Sequence, residues 1–347
     1  MSDAMLAAFV RAPWQFQLRE IPIPAVRPGW VLVKVAACGI CGTDLHIAGL
    51  TDHRLTRFPA TQWQGFGHEV AGVVAAVGAG VSNVKEGDQV VLESSSYCGV
   101  CEQCRDGRVD LCNRAPNFWS NESMGFAEYI LAPWQACVPF AGLSFAVACL
   151  AEPLGVALDM AYAADVRLGN DVLMLGLGPI GLMAIPIVRR MGAGRIYAVN
   201  RSGGARVELA RRYGADEVIL LDGESLTAAQ FRKGGVDRAL VSAAPQAIPA
   251  ALAVMNYGGI VSYIGIDYGA GAQITFDAND FHFKKLQLRA SHASPAIYFP
   301  TVLQLLRDGH VDGAAIISHT FPLTHIEKAM LTARDQRQAV LKIVVTP

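Results

Sequence analysis

Two cysteine-bearing stretches concentrate the reactive side chains of this 347-residue chain. The stretch CGICGTDLH, Cys38 to His46, sets two cysteines three apart, then a hydroxyl (Thr43), a carboxylate (Asp44) and an imidazole (His46). The stretch CGVCEQCRDGRVDLC places Cys98, Cys101, Cys104 and Cys112 in the spacing C-x2-C-x2-C-x7-C. Four thiolates in one loop can wrap a tetrahedral ion and close every coordination position, so this spacing predicts a structural zinc site. An iron–sulfur cluster is the weaker reading of the same four residues. The first stretch has no second C-x-x-C nearby, so the local chain cannot build a closed four-cysteine site there. From its own residues it is another zinc knuckle, a redox pair or the opening of an active site.

A third motif, GLGPIG, carries Gly176, Gly178 and Gly181, with Pro179 and Ile180 between the last two glycines. It follows the apolar strand VLML and opens a helix, which is the context a dinucleotide fingerprint needs. Glycines there permit a tight turn, close approach of the backbone to a pyrophosphate and close helix–strand packing, while the helix N-terminus offers N–H groups to the phosphates. The acidic residue that grips the adenosine ribose is expected about 20 residues further on. Asn200 stands at that place, followed by Arg201. A missing carboxylate and a neighbouring guanidinium favour NADP over NAD. The alternative is an Arg201 that points into solvent, with Asn200 serving NAD.

The elements that must position these groups read as two kinds of chain. WVLVKVAA (Trp30–Ala37) alternates with period two as a half-buried strand does, and HEVAGVVAAVGAGV and GDQVVLE add turn-bounded strands, so the first part is β-rich. From Pro153 the pattern changes to strands alternating with helices, which argues a doubly wound parallel sheet. Pro186 is awkward inside the helix after GLGPIG, because it removes an internal hydrogen bond. After Ser291 one helix, Tyr298–Asp308, and the strand LKIVV are evident. The expected division is residues 1–155, with 291–347 returning to them, and 156–290 as the nucleotide-binding domain.

Bulk properties exclude some classes. Net charge is -1 with no basic block, which gives no electrostatic argument for nucleic acid or an anionic membrane. The run Val172 to Val188 is uncharged and apolar, yet its three glycines and two prolines fit a buried strand–turn–helix better than a membrane span. The N-terminal MSDAMLAAFVRAPWQF lacks a basic region followed by a sustained apolar run, so it does not read as a secretory signal, and a cytoplasmic location is expected. Eight cysteines, four of them grouped in one loop, favour metal over a disulfide framework.

CGICGTDLH, GHEVAGVVAAVG, GDQVV, the four-cysteine loop, GFAEY, AEPLGVAL and GLGPIG occur in the order of the zinc-containing medium-chain dehydrogenases, and the resemblance spans essentially the whole chain. It is closest to their polyol/sorbitol and threonine dehydrogenase branch. The resemblance implies an α/β molecule: a GroES-like, β-rich catalytic domain plus a Rossmann domain. It implies that Cys41, not Cys38, ligates a catalytic zinc with His68 and Glu152, and that Glu69 sits near the metal and coordinates it in some states. Two zinc ions per chain are then expected, one catalytic and one structural. Thr43 matches the relay hydroxyl on the substrate oxygen and His46 the terminal relay base. Gly265 and Ile266 match further cofactor contacts. One thiolate, one imidazole and one carboxylate leave an open position, as catalysis at zinc requires.

Small-molecule partners are expected: an alcohol or ketone and NAD(P), with a homo-oligomer, dimer or tetramer, pairing near 257–290. The carboxylate-bearing site favours a secondary alcohol on a polyol, sugar or cyclitol, with an amino alcohol such as threonine or a simple secondary alcohol as alternatives. A zinc-independent quinone reductase is disfavoured because every ligand position is filled, and a non-catalytic crystallin-like NADP binder because the relay is intact. Cys38, Cys137 and Cys149 read as core residues, and His53, His282, His292, His310, His319 and His325 lack paired ligand spacing. Phe118, Trp119 and Glu122 are candidate substrate-lining residues.

Overall fold

The computed structural model describes residues 3–49, 62–293 and 297–347; His53 lies outside them. The chain divides into two compact units, Met1–Gly155 with Ala293–Pro347, and Val156–His292.

The first unit is built on a seven-stranded sheet. Its path runs Ile317–Pro322, Lys342–Thr346, Trp30–Gly39, Glu69–Val77, Gln89–Leu92 and Cys137–Pro139, with Tyr129–Pro133 also pairing with Trp30–Gly39. Trp30–Gly39 is not the half-buried strand its alternation suggests. Val31, Leu32 and Val33 are all buried, and Lys34 alone is exposed. The reason is its place: three strands pair with it and core packs on both faces. A smaller sheet of Gln15–Pro22, Ala4–Arg11 and Gln64–Gly65 flanks the larger one.

Gly42–Gly49 forms a helix, and one feature of this unit differs from the expectation. The returning tail also holds the helix Ile326–Asp335, which buries Ile326, Ala329, Met330 and Ala333 at helical spacing. Its start was hard to read because His325 provides no side-chain cap and the remaining face is charged.

The second unit is a six-stranded, all-parallel sheet in the order Glu217–Leu220, Arg195–Asn200, Asp171–Leu175, Val236–Val241, Met255–Tyr263, Gln287–Ala290. Numbered along the unit this is 3-2-1-4-5-6, the doubly wound order that binds dinucleotides at the carboxyl ends of the central strands. The apolar run 172–188 forms a fully buried strand, a turn and the helix Pro179–Arg190. That helix continues through Pro186, whose ring is buried.

Candidate active site and cofactor loop

The turn at Cys41 is fixed from several directions. Ile40 N–H donates to the Ile343 carbonyl at 2.9 Å, which ties the end of Trp30–Gly39 to the C-terminal strand. Asp44, fully buried in the helix Gly42–Gly49, accepts from the backbone N–H of Cys41 at 2.8 Å and of Gly67 at 3.1 Å. One carboxylate therefore joins the Cys41 segment to the residue before His68. His68 and Glu69 follow at the start of Glu69–Val77, where Glu69 pairs in register with Gly39.

These constraints gather a mixed donor set. One ligand atom each from Cys41, His68 and Glu69 lies within 4.8 Å of the others. His68 Nδ1 is buried without a hydrogen-bond partner, and Asp44 Oδ1 is 3.8 Å from it. Burial opposes a charge on His68, yet the Cys41 sulfur, Asp44 and Glu152 around it raise its pKa well above the usual imidazole value. The cluster therefore favours positive charge, and sulfur, nitrogen and oxygen donors at this spacing suit zinc.

Glu152 begins the helix Ala151–Ala163 and is buried. Its carboxyl is pushed up by burial, with His68 and a hydrogen bond to Ser94 pulling the other way. The carboxylate of Glu69 is inside the 4.8 Å group, and Glu152 faces His68 and Glu69 and is hydrogen-bonded to Ser94. Thr43 Oγ1 is 3.8 Å from the Cys41 sulfur. His46 lies in the last turn of the same helix and is half-buried. Cys38 is 1% exposed and burial drives its thiol pKa well up, so it packs in the core.

Two partners of the cluster, Lys342 and Ser94, were not evident from the sequence. The Lys342 ammonium is buried against both carboxylate oxygens of Glu69, at 2.6 and 2.7 Å, and donates to the Ile40 carbonyl at 2.9 Å. Its signal was a lysine inside the apolar run VLKIVV. Ser94 accepts the Trp119 indole N–H on its carbonyl at 2.6 Å and meets Glu152 through its hydroxyl. Trp119 sets its ring 5.0 Å from that of His68. Of the other lining candidates, Phe118 is fully buried core and Glu122 is exposed.

The sulfurs of Cys98, Cys101, Cys104 and Cys112 form a second group within 4.8 Å. Cys98 to Cys104 is 4.0 Å and Cys101 to Cys112 is 3.9 Å. A tetrahedron with Zn–S bonds of about 2.3 Å has edges of about 3.8 Å, so the four thiols fit that ion. Backbone N–H groups of Val100 and Cys101 help pull the Cys98 thiol down to about 6. All eight cysteines are unpaired, which agrees with metal rather than disulfide chemistry.

In the second unit, Gly176 ends the strand Asp171–Leu175 with φ +102°, and a Cβ there would meet Ala243 N at 2.8 Å. A Cβ on Gly181 would lie 2.1 Å from the Gly176 carbonyl oxygen, so helix and turn pack too closely for a side chain. At Gly178 a Cβ would meet no protein atom within 4 Å. Packing does not require a glycine at 178, whereas a phosphate resting on the backbone does. Gly178 N-caps the helix, Pro179 occupies its first turn, and the N–H groups of Ile180 and Gly181 follow.

Asn200 closes its strand, and its amide donates to the Ser202 carbonyl at 2.8 Å. Arg201 is exposed, with no ion pair among the described residues. Gly265 packs against Ala243 just past the end of Met255–Tyr263, and Ile266 is 52% exposed beside it.

Comparison with known proteins agrees with this geometry. Residues 27–142 match the alcohol dehydrogenase GroES-like domain and residues 179–308 the zinc-binding dehydrogenase domain. The chain is 34% identical over 321 residues to an L-threonine 3-dehydrogenase of Bacillus velezensis, covering 90% of each chain. Seven further relatives of that name are 30–35% identical. Among solved structures, a Sinorhizobium meliloti 1021 protein of the zinc-binding dehydrogenase type, bound to NADP, superimposes with TM-score 0.88 at 26% identity over the full length of both chains. L-idonate 5-dehydrogenase of Escherichia coli superimposes with TM-score 0.86 at 26% identity, covering 99% of this chain and 98% of that one.

Proposed function

We infer that this chain, which belongs to the zinc-containing medium-chain alcohol dehydrogenase family, oxidises the secondary hydroxyl of a small polar alcohol of the L-threonine type with NADP. It is a zinc-dependent alcohol dehydrogenase; the substrate and the choice of cofactor are the proposal. The observation that carries the reaction is the sulfur, nitrogen and oxygen donor set of Cys41, His68 and Glu69 within 4.8 Å, with Thr43 beside it.

Zinc at such a site acidifies an alcohol and the nicotinamide accepts its hydride; both are supplied by the bound groups. The chain's part is to hold and to move protons. Cys41 and His68 anchor the ion, and Glu152, held by Ser94, adds carboxylate charge next to it. Thr43 takes the proton of the substrate hydroxyl, and His46 accepts it as the relay's terminal base, a task suited to an imidazole. Trp119 lies against His68 and forms an apolar wall there. Gly176 to Gly181 receive the pyrophosphate, with Gly265 and Ile266 along the same strand ends. Asn200 brings no negative charge to the ribose, and Arg201 is available to a 2′-phosphate.

The amino-alcohol reading rests on the name shared by relatives aligned over about nine-tenths of the chain. A polyol reading is supported by the structural likeness to L-idonate 5-dehydrogenase. Initial rates with L-threonine, L-idonate, sorbitol and 2,3-butanediol, each with NADP and NAD, separate them. L-Threonine with NADP should give the highest kcat/KM, and Cys41→Ala should turn over none. Turnover of polyols but not L-threonine would replace the substrate reading, and a larger kcat/KM with NAD would overturn the cofactor reading.

A further inference from the structure

The glycine turn that receives the pyrophosphate has a partner outside its own motif. Ser242 follows the strand Val236–Val241, whose last residue pairs with Leu175. The N–H groups of Ser242 and Ala243 both donate to the Leu175 carbonyl, at 3.0 and 3.2 Å, so the two chains stay side by side beyond their last paired residues. The Ser242 hydroxyl then reaches one residue further and donates to the Gly176 carbonyl at 2.8 Å. A carbonyl only accepts, so the single proton of this hydroxyl is committed to the turn and none is left for a phosphate.

Gly176 is where such a bond matters. Its φ of +102° lies in a region that glycine enters freely, and a glycine peptide has little conformational preference of its own. The Gly176 N–H donates to the Val199 carbonyl at 3.2 Å, which fixes the residue to the neighbouring strand Arg195–Asn200. Ser242 fixes the other end, the carbonyl. In a planar trans peptide the N–H of Leu177 then points the opposite way. The helix start rests on the same pair of atoms: a Cβ on Gly181 would lie 2.1 Å from the Gly176 oxygen and 2.6 Å from Ser242 Oγ. One hydroxyl, 66 residues from Gly176, thus joins strand end, turn and helix N-terminus.

We propose that Ser242 is a positioning residue for the cofactor: its hydroxyl sets the Gly176 peptide, and with it the direction in which the turn and the first N–H groups of Pro179–Arg190 meet the pyrophosphate. The proposal rests on the reading of Gly176 to Gly181 as the pyrophosphate turn. The backbone N–H groups are the donors to the phosphates, and Ser242 acts only through them. An alanine there leaves the backbone bonds to Leu175 in place and removes the restraint on the Gly176 carbonyl alone.

The test titrates the full-length protein and its Ser242→Ala variant with NADPH and NADH by fluorescence. The tighter dinucleotide is then displaced with adenosine and with adenosine 2′-monophosphate, which carry no pyrophosphate. Ser242→Ala should weaken the dinucleotide about 3- to 10-fold, the loss expected for one neutral hydrogen bond, and leave the dissociation constants of the two fragments within about twofold of wild type. A merely structural role would lower Tm without separating dinucleotide from fragments. Unchanged dinucleotide affinity would overturn the proposal, and so would equal weakening of dinucleotide and fragments. Gly181→Ala is titrated alongside. Should it too bind the dinucleotide as wild type does, the reading of the turn falls and this inference with it; should it alone weaken binding, only the role of Ser242 falls.

Discussion

Cys38 and Cys41 are three residues apart and have opposite fates. Cys38 points into the core of the first unit, and Cys41 faces His68 and Glu69. The end of the strand is the cause: Cys38 still belongs to the paired run Trp30–Gly39, whereas Cys41 lies past its end. Another buried residue, Glu93, offers a test at this scale. Burial pushes its carboxyl up to about 9, from 4.5 in an exposed chain. Because the folded-state value is the higher one, the contribution of the protonated group to stability is whole below pH 4.5 and is lost as pH rises towards 9. Glu93→Gln removes that dependence. It should therefore raise Tm at pH 8 more than at pH 5, with a difference in unfolding free energy of at least about 1 kcal/mol. Equal shifts at the two pH values in thermal or urea melts would show that Glu93 is ionised in the fold.

At the scale of elements, each functional group is placed by the end of a strand or the start of a helix. His68 and Glu69 open one strand, Glu152 opens Ala151–Ala163, and Gly178 caps Pro179–Arg190. The turn from Leu175 to Gly181 is the clearest test. Gly181→Ala sets a methyl 2.1 Å from the Gly176 carbonyl and 2.6 Å from the Ser242 hydroxyl, which bonds that same carbonyl. The turn must open, so affinity for the nicotinamide dinucleotide should fall by more than about tenfold, while metal content stays at the wild-type level. Unchanged cofactor affinity by fluorescence titration would show that the turn does not carry the pyrophosphate. The same logic explains the readable parts of the sequence. GLGPIG is legible because glycine is demanded locally, while the helix Ile326–Asp335 lacks a cap signal and depends on tertiary burial of one face.

At the scale of the whole molecule the two metal groups are independent in structure and should be so in stoichiometry. The four cysteines lie within one loop of 15 residues, whereas the second group draws on residues 41, 68 and 69, with Glu152 beside it. Elemental analysis should give two zinc ions per chain. Cys41→Ala should give one, with little change in Tm, because the structural loop keeps its ion. Cys101→Ser should lose the loop's ion and lower Tm markedly, since that loop contributes few buried residues of its own. Two ions retained in Cys41→Ala would place the second ion elsewhere.

By itself the sequence determined the parts whose information is local. Spacing marked the four-cysteine loop, glycine positions marked the nucleotide turn, and alternating strand and helix patterns marked the parallel sheet. The order of motifs identified the family. Only the tertiary structure decided that Asp44 ties the Cys41 segment to Gly67, that Ser94 holds Glu152, and that Lys342 holds Glu69 from 273 residues away. Those relations have no local signature. A buried ion pair depends on two strands meeting in one register, and a lysine in an apolar strand reveals its partner only once Lys342–Thr346 lies beside Trp30–Gly39.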